Sequence, residues 1–375
     1  MPARRDRPHL PDPGASSGWS EPISVRIRDL GEIAAGLPHL LGFRPRESVV
    51  LLSLGGESGR RVGLTVRADI PPPEHNRELA ALLSRSLVTD RPDGALVLVV
   101  SEAGDEDSPG DRGLPHHDLV WEMCRALSRL AVPVADTLLV RAGRWWSYDC
   151  PDSCCEPGAG TPLPAEVAEL AVASIATGTV VEAARENLVA RIAPPPEHDA
   201  TAMAAVCAQV GVALSSDLLD TGPEPAALES WAAVMAGIAR CRPGAALAPP
   251  LTDEDVARIV WGLRDGEVRD LALELALGAR DPGLPTAAEQ LWTQCTRRAP
   301  APLDAAPATL LAVSAWLRGD GAMANIALDR ALASAPGYGL ATLLREALRA
   351  CMTPADLRVL LTEASTTAGT APSAG

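Results

Sequence analysis

The chain changes its repeat pattern once, near residue 150. Between Glu21 and Tyr148, runs of strand length alternate with segments of helical periodicity; from Pro164 onward nearly every segment reads as helix. Strands must pair with other strands, and amphipathic helices must bury one stripe. A chain ordered in this way is expected to fold as an α/β domain with a mixed sheet followed by an all-α domain. The expected boundaries are residues 21–163 for the first and 164–363 for the second. Residues 1–20 and 364–375 are rich in small residues and proline, lack periodicity and are expected to be disordered tails.

Within the first domain the spacing predicts strands at Ile23–Arg28, Ser48–Leu54, Arg61–Ile70, Ala95–Val100, Val134–Arg141 and Arg144–Cys150. Helices are predicted at Gly31–Leu41, Glu74–Val88 and Asp118–Leu130. Ala95–Val100 is apolar throughout, as a strand covered on both faces would be. The sheet is expected to be part parallel and part hairpin. In the second domain helices are predicted from Ala165–Ala176 through to Leu340–Arg349, and Thr252 is the expected N-cap of one of them. Ala308–Leu317 and Ala322–Ala333, joined by Gly319-Asp320-Gly321, read as a tetratricopeptide-like helical hairpin, with small residues where the two helices meet. Such a hairpin is expected to offer a groove to a partner.

Composition narrows the chemistry. All 33 basic residues are arginine, and the net charge is −15. Without lysine there is no Schiff-base nucleophile, no P-loop lysine and no kinase β3 lysine. The first hundred residues are nearly neutral, so the acidic excess sits in the rest of the chain. That balance disfavours nucleic acid and anionic membrane surfaces as partners. No apolar run reaches the length of a membrane span and no apolar signal region follows Arg4 and Arg5, so a cytoplasmic protein is expected.

The least ordinary stretch is G-R-W-W-S-Y-D-C-P-D-S-C-C at Gly143–Cys155. The chain has only 8 Trp, 2 Tyr and 1 Phe, yet Trp145, Trp146 and Tyr148 fall within four positions and Cys150, Cys154 and Cys155 follow. If the segment is a strand, Trp146, Tyr148 and Cys150 share one face and Trp145, Ser147 and Asp149 the other. Two readings stand. The strand is packed on both faces, or it is a ligand wall on which Trp145 stacks a ring or sugar while Ser147 and Asp149 accept hydrogen bonds. The three thiols suit zinc, with His116, His117 or Asp152 as a candidate fourth ligand, although adjacent cysteines make an awkward chelate. The rival is buried or free thiols with no cofactor. Asp118 is read as a helix-start residue. Arg44, Arg46 and Arg67 suit an anion site, or else salt bridges to Glu47 and Asp69.

The chain resembles an uncharacterised actinobacterial family, domain-of-unknown-function family 4192. The resemblance rests on L-L-G-F-R-P-R-E-S-V-V at Leu40–Val50, R-A-D-I-P at Arg67–Pro71, G-R-W-W-S-Y-D-C at Gly143–Cys150 and A-W-L-R-G-D-G-A-M-A-N-I-A-L-D-R-A-L at Ala315–Leu332. It implies an actinobacterial cytoplasmic protein, and it carries over no activity and no catalytic residue.

The functional expectation is therefore a non-enzymatic binding or regulatory protein with a small-ligand or protein-partner surface near Gly143–Cys155. Two alternatives remain. One is an enzyme acting on a small anionic substrate, with Asp149 as base or Cys150 as nucleophile and Arg44 or Arg46 orienting the substrate. The other is a thiol-based metal or redox sensor.

Overall fold

The structure is a computed structural model that describes residues 29–56, 61–104, 113–156, 158–165, 181–242, 249–278, 281 and 283–368. The expected strand at 23–28, the first tail, nearly all of the helix expected at 165–176 and residues 369–375 lie outside the described residues.

The α/β part runs α1 (Leu30–Leu41), β1 (Ser48–Gly55), β2 (Arg61–Asp69), α2 (Asn76–Val88), β3 (Gly94–Val100), α3 (His117–Arg129), β4 (Val134–Arg141), β5 (Arg144–Ser147) and β6 (Thr161–Pro162). The six strands lie in the order β2-β1-β3-β4-β5-β6. β1 is antiparallel to both β2 and β3, β3 is parallel to β4, and β5 is antiparallel to β4 and β6. The sheet is mixed, as expected, and α3 makes the crossover between its parallel pair. Alternation along β1 and β3 sends Val49, Leu51, Val97 and Val99 to one face, where α2 and α3 cover them with Leu83, Leu87, Met123 and Leu127. Val50, Leu52, Leu96 and Leu98 face the other way, onto Ala34 and Leu37 of α1. Helices on both faces explain why β3 is continuously apolar and β1 nearly so.

Ten helices follow among the described residues: α4 (Arg185–Arg191), α5 (Glu197–Thr221), α6 (Pro223–Cys241), α7 (Asp253–Gly262), α8 (Gly266–Glu274), α9 (Leu284–Arg298), α10 (Ala305–Leu317), α11 (Gly321–Ser334), α12 (Gly339–Arg349) and α13 (Pro354–Ala368). The last of these was not expected, and it carries the chain in helical form to Ala368, past the expected tail boundary at 364. Thr252 caps α7 through a reciprocal pair. The Asp255 N–H donates to Thr252 Oγ1 (3.1 Å) and the Thr252 N–H donates to Asp255 Oδ2 (2.9 Å).

The helical hairpin is α10 and α11. Every residue of α10 is buried, so the helix is the axis of the bundle. An Ala- and Leu-rich helix with no polar stripe has nowhere else to go. The neighbouring helices close around α10 on all sides. The hairpin is clasped at its open end. Asp304, before α10, is fully buried and receives Arg330 Nε (2.7 Å) and the Ser334 hydroxyl, both from α11. The two parts of the chain meet at Phe43, in the connection between α1 and β1, which pairs its backbone with Glu182 and packs into the helical core.

One helical stretch, Glu197–Leu219, is long and apolar enough by length and mean hydropathy (1.6) to cross a membrane. Its inner face, Met203, Cys207 and Val210, is buried in the helical core. Gly211 lets the Trp261 ring approach the helix, and the indole Nε1–H donates to Cys207 O (2.7 Å).

Candidate functional site

β5 carries the aromatic–thiol segment, and its two tryptophans part company. Trp146 is 2% exposed and joins the face covered by α2 and α3. Its Nε1–H donates to Glu156 O (3.2 Å), the Arg141 guanidinium stacks 4.9 Å from a ring centroid, and the chain at Gly160 lies against the ring. A Cβ on Gly160 would stand 2.4 Å from the indole, and φ there is +65°, so only glycine suits that position. Tyr148 is equally sealed. It donates its hydroxyl to Pro115 O (2.6 Å), and burial raises its pKa far above the ordinary tyrosine value, against the opposing effect of Arg141.

The expected ligand wall is accordingly corrected in most of its members. Trp146 and Tyr148 are core. Ser147 is buried and donates its hydroxyl to Asp136 Oδ1 (2.8 Å). Asp149 is exposed and accepts from the Thr137 hydroxyl (2.8 Å). The strand itself stops at Ser147 rather than Cys150. Tyr148 N–H still reaches Thr137 O (2.9 Å), but Pro151 has no N–H to donate and the chain turns away.

Trp145 faces the other side. It packs against the α1 layer and stays partly exposed, forming one wall of an open cleft of about 510 Å³. The remaining walls are the first turn of α1 (Asp29–Glu32) and the segment from Thr161 to Pro164. Gly31 makes the approach possible, since a Cβ there would stand 2.9 Å from the Trp145 Nε1. Asp29 caps α1 by accepting the Glu32 N–H at 2.8 Å, which places two carboxylates on the cleft rim.

Beyond β5 a short 3-10 turn, Ser153–Cys155, gathers the thiols. Cys150 and Cys154 sulfurs are 3.8 Å apart, Cys154 and Cys155 sulfurs 3.9 Å, and all three lie within 4.8 Å of one another. The turn overcomes the awkwardness of adjacent cysteines by bringing both side chains to one side. None of the cysteines is in a disulfide. The Ser147 N–H donates to Cys155 Sγ (3.3 Å). Burial outweighs that bond and, with the neighbouring Cys150 and Cys154, leaves the Cys155 thiol pushed up to about 12. His116, His117 and Asp152 are not in the cluster. His116 Nε2 lies 3.0 Å from the Ser101 hydroxyl, and His117 tilts against the Tyr148 ring. His116 is also the N-cap of α3, with Asp118 inside the first turn.

The expected enzymatic set does not assemble. Arg44 and Arg46 precede β1, at the end of the sheet where β3 and β4 finish; Asp149 and Cys150 follow β5, where β4 begins. The length of a strand of about 20 Å separates them. Arg67 takes its structural alternative: it pairs with Asp69 (2.6 Å), donates to Ser48 Oγ through Nε (2.9 Å) and lies over Phe43. Glu47 pairs with no arginine among the described bonds and instead accepts from Ser101 Oγ (2.7 Å) and the Glu102 N–H (2.8 Å).

That Ser101–Glu47–His116 group was not foreseen. It resembles a nucleophile with its base, but the hydroxyl is fully committed. It donates to Glu47 and accepts from Ala103 N–H (3.1 Å), which leaves it only to accept from His116 Nε2–H, and Ser101 is 1% exposed. The group pins the loop after β3. Glu47 and His116 both hold positive φ (39° and 61°), which no Gly or Asn in the sequence announces.

Fold and site together define a mixed-sheet α/β domain joined to a helical bundle, with a thiol-bearing turn at the sheet margin. The chain belongs to the family described as "Domain of unknown function (DUF4192)", which matches residues 31–355. No curated protein and no solved structure matches it.

Proposed function

We propose that the protein is a non-enzymatic binding protein whose ligand seat is the Trp145 cleft, and that the ligand is a small organic cation. The supporting observation is the exposure of Trp145 in a segment whose other rings are sealed, facing a cleft with Asp29 and Glu32 at its rim. An indole face attracts ammonium and guanidinium groups, most strongly when they are partly desolvated. The N-terminus of α1 opposes a cation with about half a unit of positive charge, which two carboxylates outweigh. The overall charge of −15 draws the same kind of ligand from a distance. A cytoplasmic setting agrees with cysteines held as thiols. A docked protein chain presenting an arginine would satisfy the same chemistry, but a cleft of about 510 Å³ is of the size that small ligands fill, so the small ligand is preferred.

Calorimetric titration of the full chain with argininamide, choline and spermidine tests this reading. Saturable binding of at least one, weakened about tenfold or more by Trp145→Ala and by Asp29→Asn with Glu32→Gln, is the expected result. Absence of binding by all three, or binding indifferent to Trp145, refutes it.

A further inference from the structure

The sulfur cluster supports a separate inference that does not depend on the cleft. We propose that Cys150, Cys154 and Cys155 bind one zinc ion as a three-thiolate site whose fourth position is left to water.

The spacing of the sulfurs carries the argument. A zinc–thiolate bond is about 2.3 Å, so two thiolates on a tetrahedral zinc stand about 3.8 Å apart. The Cys150–Cys154 and Cys154–Cys155 separations are 3.8 and 3.9 Å. The third pair lies within 4.8 Å, so closure of that one edge by a fraction of an ångström to about 1 Å completes the face. The same separations are nearly twice the roughly 2.05 Å of a disulfide, so the cluster is not a strained S–S pair.

The site is also built. The Ser147 N–H points at Cys155 Sγ, the kind of outer bond that orients a thiolate and tunes its charge. The turn is held at both ends, by Cys155 N–H to Asp152 O (3.0 Å) and by the Trp146 indole on Glu156 O (3.2 Å). Trp146 is immobilised in turn by Arg141 and Gly160, so the thiols stand on a fixed base and little ordering is left for the metal to impose. Cys154 is exposed, which gives the ion a way in and turns the fourth position outward. Asp152 and Glu156, both exposed beside the turn, favour the approach of a cation.

The reaction balances without any redox partner: a zinc dication plus three thiols gives a tris-thiolate zinc of net charge −1 and three protons released to solvent. A hard cation such as magnesium gains little from sulfur, so selectivity for zinc over magnesium follows from the donors.

The test uses the full chain, stripped with a chelator and kept reduced with a phosphine. Zinc is titrated against a chromophoric indicator, and cobalt(II) is substituted to read thiolate-to-metal charge transfer and tetrahedral d–d bands. The expected result is one equivalent of zinc, three fewer reactive thiols than the metal-free chain, and release of protons on binding. Cys154→Ser, at an exposed position where folding is safe, weakens binding roughly a hundredfold and alters the cobalt spectrum. Cys351→Ser, in the helical part, changes neither. Less than about 0.1 equivalent of zinc retained at micromolar concentration with all thiols reactive overturns the proposal, as does a cobalt spectrum unaltered in Cys154→Ser.

Discussion

Replacing the two adjacent tryptophans one at a time separates core from cleft. Trp146→Ala removes a ring that is 2% exposed, an N–H bond to Glu156 O and a stacking surface for Arg141. An aromatic side chain of this kind buries about 200 Å², worth about 5 kcal/mol at about 25 cal/mol per Å². Mutational series place Trp→Ala at roughly 3–5 kcal/mol once partial collapse of the cavity is allowed for. The unpaired Glu156 carbonyl turns toward water in the altered loop and adds at most about 1 kcal/mol. We therefore expect a loss of about 4 kcal/mol. Trp145→Ala removes a ring that already faces a cleft, and about 1–2 kcal/mol is expected.

The assay is urea unfolding followed by far-UV circular dichroism, because tryptophan fluorescence changes with the mutation itself. Trp146→Phe supplies an internal scale: it keeps most of the apolar ring and removes the N–H bond, and about 1–2 kcal/mol is expected. The thiol turn hangs from the same indole, so Trp146→Ala also raises the reactivity of Cys155 toward a thiol reagent in the folded protein, whereas Trp145→Ala leaves it unchanged. A cost below about 1 kcal/mol for Trp146→Ala, or a larger cost for Trp145→Ala, would falsify the assignment of the two rings to core and cleft.

Two further substitutions probe what holds the site and the bundle. Gly160→Ala forces a Cβ to within 2.4 Å of the Trp146 ring at φ +65° and should cost more than about 3 kcal/mol by thermal unfolding, whereas Gly143→Ala, at φ +72° with open space around it, should cost only about 1 kcal/mol; equal effects would mean that the ring does not lie on Gly160. Arg330→Met leaves the buried Asp304 carboxylate without its charge partner, for which about 3–5 kcal/mol is expected by urea unfolding; a cost below about 1 kcal/mol would count against the clasp.

Local pattern made much of this fold legible. The alternation of Arg144–Cys150 put Trp146, Tyr148 and Cys150 on one face and Trp145 on the other, and those faces are the ones observed, because strand periodicity depends only on the chain's own pleat. The apolar run at Ala95–Val100 marked a strand covered on both sides for the same reason. Strand order was not legible. Whether Arg44 meets Asp149 depends on β1 running antiparallel to β3, and no residue of β1 declares its direction. The return of the chain at Gly160 over the Trp146 ring was equally silent, since β6 is two residues long and has no period to read. Ser101, Glu47 and His116 come together across 69 residues through backbone at positive φ that the residue types do not advertise.

The position of both candidate sites on β5 has a physical reason. A central strand such as β3 has neighbours on both sides and helices on both faces, and all but the last of its residues are buried. β5 is four residues long, with β4 along one edge and only the two residues of β6 along the other. The segments that flank it must be held by side chains rather than by ladder bonds: the Arg144 guanidinium donates to Ala159 O and Gly160 O (2.8 Å each), and Trp146 and Ser147 hold the thiol turn. Residues chosen for that task are large, polar or both, and they stand at the margin of the sheet where solvent arrives. One ring turned inward then suffices to fix a metal-sized cluster of sulfurs, and its neighbour, turned outward by the pleat alone, is left as a surface on which a ligand can settle.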